Sequence, residues 1–241
     1  MLFTSKIEVE LIDKMGSDLS IVHSARVSTI GDTRGCDVST IEQTGLINYL
    51  MKHRHGTPFE HSCVTLFVNA PIFVWREWHR HRVGFSYNEE SARYKVLEPK
   101  FYLPDISRPM FKVNDWKPGR PKFLSVSDVP NGIDIFQQLC TNLRKSYTFS
   151  YEMYLDNLSM GIDPGLARDC LPVGIFSSCY VTCNPRSLMA FLSLRTHDVS
   201  ALKVSYPLYE IEVAARFCES IFKDHWPITY DAFVKNGRFG P

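Results

Sequence analysis

The chain has 241 residues, 44% of them hydrophobic, enough to bury a sizeable core and too many for a disordered chain. Lys plus Arg number 27 against 26 acidic residues, so a net charge of +1 offers no general attraction to nucleic acid or an anionic membrane. Any polyanion has to be bound by a local cluster.

Taken in order, "IEVELID" (7–13) alternates as a strand does. "SDLSIVHSARVS" (17–28) has helical spacing, and "STIEQTGLINYLMKHRH" (39–55) is an amphipathic helix with Ile41, Leu46, Ile47, Leu50 and Met51 on one side. "SCVTLFVNAPIFV" (62–74) reads as a strand through Val68, with Pro71 opening the next element. A helix over 73–82 would stack Arg76 and Arg80 and send Arg80 and Arg82 to different sides. "SYNE" (86–89) fits a capping box and hence a helix start able to offer N–H groups to an anion, or else an ordinary charged turn. Residues 104–132 hold five prolines and two glycines and read as a long loop or variable insertion. Helices follow over 133–161, from Asp163-Pro164 through Leu171, from Asn184-Pro185 to Arg195, over 209–222 and over 226–236, with a strand at 175–183. The mixture is α+β.

No run approaches the ~20 apolar residues of a spanning helix, and "MLFTSKIEVELIDKMG" shows no signal-peptide pattern. The seven cysteines form no C-x-x-C, which fits a reducing cytoplasm. Cys179 and Cys183 read as core residues. Five of the eight histidines fall between 53 and 81, four of them in two H-x-H pairs. Both pairs lie in text read as helical, where i and i+2 diverge, and no cysteine or carboxylate stands at a zinc spacing. Polar histidines near a site fit better than a metal centre. No G-x-G-x-x-G or P-loop is present, which argues against a Rossmann nucleotide site.

The positive signal is "REWHRHRVGFSYNEESARY" (76–94): four arginines, two histidines and three glutamates set directly against the apolar "APIFVW". Guanidinium forks match phosphate oxygens. Arg168, Arg186 and Arg195 stand at the edges of apolar helical text and could add to an anion site.

The stretch "RHRVGFSYNEESARY" strongly resembles the signature of flavin-dependent thymidylate synthases. "YLMKHRHGTPFEH", "APIFVWREWHRHR", "FYLP", "LARDCLP" and "NPRSLMAFLSLR" follow the family's order. The resemblance implies one domain over 1–241 with a mixed helix-and-sheet fold, a variable loop near 104–132, and a cytoplasmic homotetramer with FAD held between subunits. It implies conversion of dUMP to dTMP with methylenetetrahydrofolate as carbon donor and NADPH as reductant, with no metal, membrane or nucleic acid. By resemblance Arg195, Ser91 and His55 belong to the catalytic centre. Glu77, Trp78, His79, Arg80, Glu89, Glu90, Ser91, Ala92, Arg93, Arg168 and Arg195 would bind dUMP. Thr57, Arg80, His81, Arg82, Glu89, Asn184 and Arg186 would bind FAD.

The chain departs from the pattern in having eight residues, not seven, between Arg82 and Ser91, which places an insertion near Val83-Gly84. Glu77 replaces a frequent Gln, Ala190 replaces a polar flavin contact found in some members, and the link after Arg195 is long. Two rival readings are a cysteine-dependent nucleotide enzyme and a non-catalytic nucleotide- or RNA-binding protein that retains the fold.

Overall fold

The computed structural model describes residues 1–113, 115, 117 and 120–241. In chain order it contains β1 (Leu2–Thr4), β2 (Glu8–Met15), α1 (Asp18–Ile30), α2 (Thr40–Lys52), β3 (Cys63–Pro71), α3 (Ile72–Trp78), β4 (Phe85–Glu89) and β5 (Lys100–Tyr102). There follow β6 (Phe111–Lys112), β7 (Phe123–Leu124), α4 (Gly132–Ser159), α5 (Pro164–Ala167), β8 (Phe176–Cys183), α6 (Pro185–Arg195), α7 (Tyr209–His225) and α8 (Pro227–Lys235). The α+β reading of the sequence is borne out. No helix among the described residues is long and apolar enough to cross a membrane.

Two compact units are formed. The first comprises Met1–Glu8, Asn69–Glu77 and Glu89–Cys179; the second comprises Val9–Val68, Trp78–Asn88 and Tyr180–Pro241. A four-stranded sheet runs in the order β2-β3-β8-β4, and β1 pairs with β5 in parallel. β3 alternates strictly, burying Val64, Leu66, Val68 and Ala70. Its other face meets β8 in cross-strand pairs: Thr65 with Thr182 (2.9 Å), the Phe67 and Tyr180 rings (5.5 Å), and Asn69 Nδ2 donating to Ser178 Oγ (2.8 Å).

In the first unit the core gathers Leu97, Phe101, Leu103, Ala167 and Ile175 against a tyrosine stripe on α4, Tyr147, Tyr151 and Tyr154. That i, i+4, i+7 spacing puts the three rings on one helix face. Tyr151 satisfies its buried hydroxyl by donating to the Leu97 carbonyl at 2.8 Å. In the second unit α7 buries Ile211, Ala214, Ala215, Cys218 and Phe222. Each of its large apolar side chains contributes about 1.5–3 kcal/mol by leaving water.

Four sequence expectations are corrected. The third strand does not stop at Val68: Asn69 and Ala70 continue the alternation, and Pro71 closes the strand instead of opening the helix. The first amides of α3 are taken by the chain at 173–175, with Ile72 N–H donating to Ile175 O and Phe73 N–H to Val173 O. The helix expected over 73–82 ends at Trp78, because the Tyr87 hydroxyl takes the Trp78 and His81 carbonyls, at 3.3 and 2.5 Å. "SYNE" is strand β4, with the Phe85 and Tyr87 rings stacked 5.8 Å apart on one face, so it supplies no helix N-terminus for an anion. Neither H-x-H pair is helical: His53 caps α2 and His55 follows it, while His79 and His81 lie beyond α3.

Within 104–132, β6 and β7 form a short antiparallel ladder, Phe111 opposite Leu124 and Lys112 opposite Phe123. Positions 114, 116, 118 and 119 of that expected loop lie outside the described residues.

Candidate active site

In the second unit, α6 carries the residues that organise the site. Asn184 Oδ1 caps it by accepting from Ser187 N–H at 2.8 Å, and Pro185 occupies the first turn, where a missing N–H costs nothing. The C-terminal end presents Arg195, half-buried, whose Nε donates to His81 Nε2 at 3.0 Å. The His81 ring lies edge-on to Phe191 (5.0 Å) and near Phe85 (6.3 Å), and Phe191 is stacked on fully buried Trp78 (4.8 Å). Burial, and then the Arg195 and Arg80 cations, push the His81 pKa down to about 4. The ring is neutral near pH 7, as an acceptor Nε2 requires. His79 meets Tyr87 edge-on at 4.8 Å, and the Arg80 and Arg82 side chains are exposed.

Around the start of α6 lies a cleft of about 580 Å³, lined in part by Arg54, Gly84, Asn184, Arg186, Leu194 and Phe239. Arg186 is fixed by Glu60 (2.5 Å) and by the Pro241 carbonyl (2.8 Å), and the Arg54 guanidinium covers the Phe239 ring at 4.2 Å. Val83 and Gly84, where the insertion in the signature is expected, line this cleft. Val83 is exposed, and Gly84 takes φ +68° against α6, where a Cβ would come within 2.1 Å of Ser187 Oγ. Only glycine meets both conditions. Ala190 lines the same cleft. His55 and Thr57 are exposed beside it in sequence, His55 with its ring edge-on to Tyr49 at 5.8 Å and Thr57 opening a 3-10 turn.

The first unit holds a second cleft, of about 360 Å³, whose lining includes Glu89, Glu90, Ala92, Arg168 and Asp169. Glu90 accepts from Ser178 N–H at 2.8 Å and pairs with Lys95 at 2.9 Å, so its carboxylate anchors the chain after β4. Ser91 sits in the adjoining turn, where its Oγ accepts from Arg93 N–H at 3.3 Å. Among the described residues no histidine or carboxylate bonds that hydroxyl. Arg93 lies over the Tyr94 ring at 5.5 Å, and Glu77 stands in the last turn of α3.

Sequence reasoning missed the support behind Arg195. Thr196, buried, donates to Leu192 O and accepts from Arg238 Nη2 at 3.0 Å. Arg238, also buried, pairs with Glu219 at 2.6 Å, and Glu219 pairs with Arg216 at 2.8 Å. Arg216 and Glu219 are neighbours on one turn of α7, but nothing local in the sequence marks Arg238, which lies 19 positions from Glu219 and 42 from Thr196.

Burial pushes the Cys183 thiol well above its ordinary value and Cys218 up to about 12, so neither is a thiolate nucleophile. Among the described residues no three His, Cys, Asp or Glu side chains are grouped to hold a metal ion.

Comparison with known proteins agrees with this chemistry. Residues 10–228 match the family described as thymidylate synthase complementing protein. The chain is 45% identical to a flavin-dependent thymidylate synthase of Streptomyces avermitilis, over 99% of this chain and 95% of that one. It is 43% identical to one of Tropheryma whipplei, over 99% and 97%. A crystal structure of PolB, a UMP/dUMP methylase from Streptomyces cacaoi bound with 5-Br dUMP, superposes with a TM-score of 0.91 at 41% identity, covering all of both chains. The same methylase bound with 5-Br UMP gives 0.89, covering all of this chain and 99% of the other. The arginine-histidine pairing, the unreactive thiols and the match along nearly the whole length converge: this chain belongs to the flavin-dependent thymidylate synthase family.

Proposed function

We propose that the protein methylates dUMP at C5 to give dTMP, with methylenetetrahydrofolate as carbon donor, NADPH as reductant and FAD as the flavin. The observation that carries this reading is Arg195, half-buried and anchored through Nε on a neutral histidine. Uracil C5 becomes a nucleophile when negative charge builds on the N3, O2 and O4 system. A preorganised guanidinium in a water-poor site stabilises that charge. No enzyme thiol is required, consistent with the protonated buried cysteines.

The cleft at the start of α6 suits a phosphate-bearing cofactor: Arg54 and Arg186 offer cations, Asn184 an amide, and Leu194 and Phe239 an apolar wall. When bound, a flavin reduced by NADPH would supply the hydride. Arg80, Arg82 and Thr57 would complete its binding, with His55 two residues before Thr57. Glu77, His79, Glu89, Ser91, Ala92, Arg93 and Arg168 would hold the nucleotide, and Arg168 is an exposed cation suited to its phosphate. We assign Trp78 and Glu90 to support, since one is core and the other is engaged with Ser178 and Lys95. The protein would act as a cytoplasmic homotetramer whose subunits complete one another's flavin sites.

The purified protein is expected to bind FAD with a visible flavin spectrum, and Arg82→Ala to lose flavin while keeping its far-UV circular dichroism. Undiminished FAD affinity in that variant would remove Arg82 from the site. The PolB structure with 5-Br UMP favours a second, compatible reading in which UMP is also accepted. The ratio of kcat/KM for dUMP and UMP decides it.

A further inference from the structure

We propose that His81 is a positioning residue for Arg195: its Nε2 accepts the Arg195 Nε–H and so sets the plane of the guanidinium that faces uracil. This rests on the reading of Arg195 given above.

The geometry makes His81 a firm anchor. Its ring is held by Phe191 and Phe85, with Phe191 itself stacked on buried Trp78. Its carbonyl accepts the Tyr87 hydroxyl at 2.5 Å, which fixes the backbone of the loop that carries it. A guanidinium is planar, so a hydrogen bond at Nε together with the direction of the side-chain stem defines the plane in which its two terminal nitrogens lie. That bond limits the rotamers open to the end of a long side chain at a helix terminus.

The protonation state fits the role. Nε2 can accept only when unprotonated, which puts the ring proton on Nδ1. The charged groups acting on the ring are Arg195 and Arg80, both cations, and with burial they oppose a second proton. A protonated His81 would turn Nε2 into a donor facing another donor. The bond therefore survives throughout the neutral range and is lost as pH falls through about 4.

Three substitutions and one spectroscopic measurement test the proposal. His81→Phe keeps an aromatic ring among Phe85 and Phe191 but removes the acceptor. His81→Gln restores an acceptor oxygen at comparable reach. Single-turnover methyl transfer should be followed with pre-reduced protein at saturating dUMP, normalised to bound flavin, in each variant, in Arg195→Ala, and in His81→Phe combined with Arg195→Ala. His81→Phe is expected to slow transfer on the order of 10- to 100-fold, the scale of a misplaced reacting group. Dissociation of dUMP should change far less, and His81→Gln should recover most of the rate. In the Arg195→Ala background, His81→Phe should cost nothing further, because the two act as one unit.

Separately, ¹⁵N-histidine spectra of the flavin-free protein, with His81 assigned by its absence in the variant, should show a neutral Nδ1–H ring at pH 5.5. Full additivity of the two substitutions, equal rates in the Phe and Gln variants, or a His81 ring titrating near the ordinary value of 6.5 would each overturn the proposal. A near-normal rate in Arg195→Ala alone would instead overturn the role of Arg195 on which the proposal rests.

Discussion

Arg195→Ala is expected to slow methyl transfer roughly 100-fold or more, the scale on which removal of one preorganised donor acts. Arg195→Lys should recover little of this. An ammonium supplies a point charge, but it has no Nε–H for His81 and no planar fork for the uracil ring. Ser91→Ala provides the contrast. The Ser91 hydroxyl accepts from the Arg93 amide, and among the described residues no base bonds it, so a covalent role lacks the activation that a serine nucleophile needs. That variant should bind dUMP more weakly and still transfer the methyl group measurably. Rapid-quench measurement of product from pre-reduced protein checks all three. Complete loss in Ser91→Ala with dUMP still bound would point to covalent catalysis.

The second large effect is on stability. Arg238 and Glu219 form a buried pair, and Arg238 also reaches Thr196, the residue after Arg195. Removing one partner of a buried pair leaves a desolvated charge and typically costs about 3–5 kcal/mol. Glu219 retains Arg216, which is partly exposed, so Arg238→Met should fall near the lower end, at about 3 kcal/mol in urea denaturation. Replacing both partners, Arg238→Met with Glu219→Leu, should be milder than Arg238→Met alone, because the buried carboxylate goes with its partner, and Asp198, which also meets Arg238 at 3.5 Å, is less buried than Glu219. Equal or greater loss in the double variant would show that packing of the arginine stem, not its charge, holds the C-terminal segment.

The contrast between what was legible in the sequence and what was not follows from the range of each interaction. α2 and α6 were readable because their signals are local: Ser39 and Glu42 form a reciprocal capping box, and Asn184-Pro185 caps and opens α6. "SYNE" was misread for the same reason. The S-x-x-E spacing is local, but the segment's structure is decided by its place in the sheet beside β8, to which no nearby residue testifies. Pro71 was taken as a helix opener because proline favours a first turn. Here the α3 amides were already engaged by residues 173–175, about 100 positions away.

The candidate site divides in the same way. Its residue types were visible as an excess of arginine and histidine against an apolar run, and the family signature named their roles. Their pairings were not visible. His81 and Arg195 lie 114 positions apart, and the role suggested for His81 by the signature says nothing of that bond. Likewise the helical reading of the His79/His81 pair failed because the Tyr87 hydroxyl, a contact made only in the folded chain, ends α3 before His79.

The most direct test of the central claim is product formation from defined components. Purified protein stripped of flavin would be incubated with dUMP, methylenetetrahydrofolate and NADPH, with and without added FAD, and dTMP quantified by chromatography. The expected result is dTMP formed over multiple turnovers only when FAD is present. No dTMP with FAD bound, or equal yields with and without it, would contradict the account.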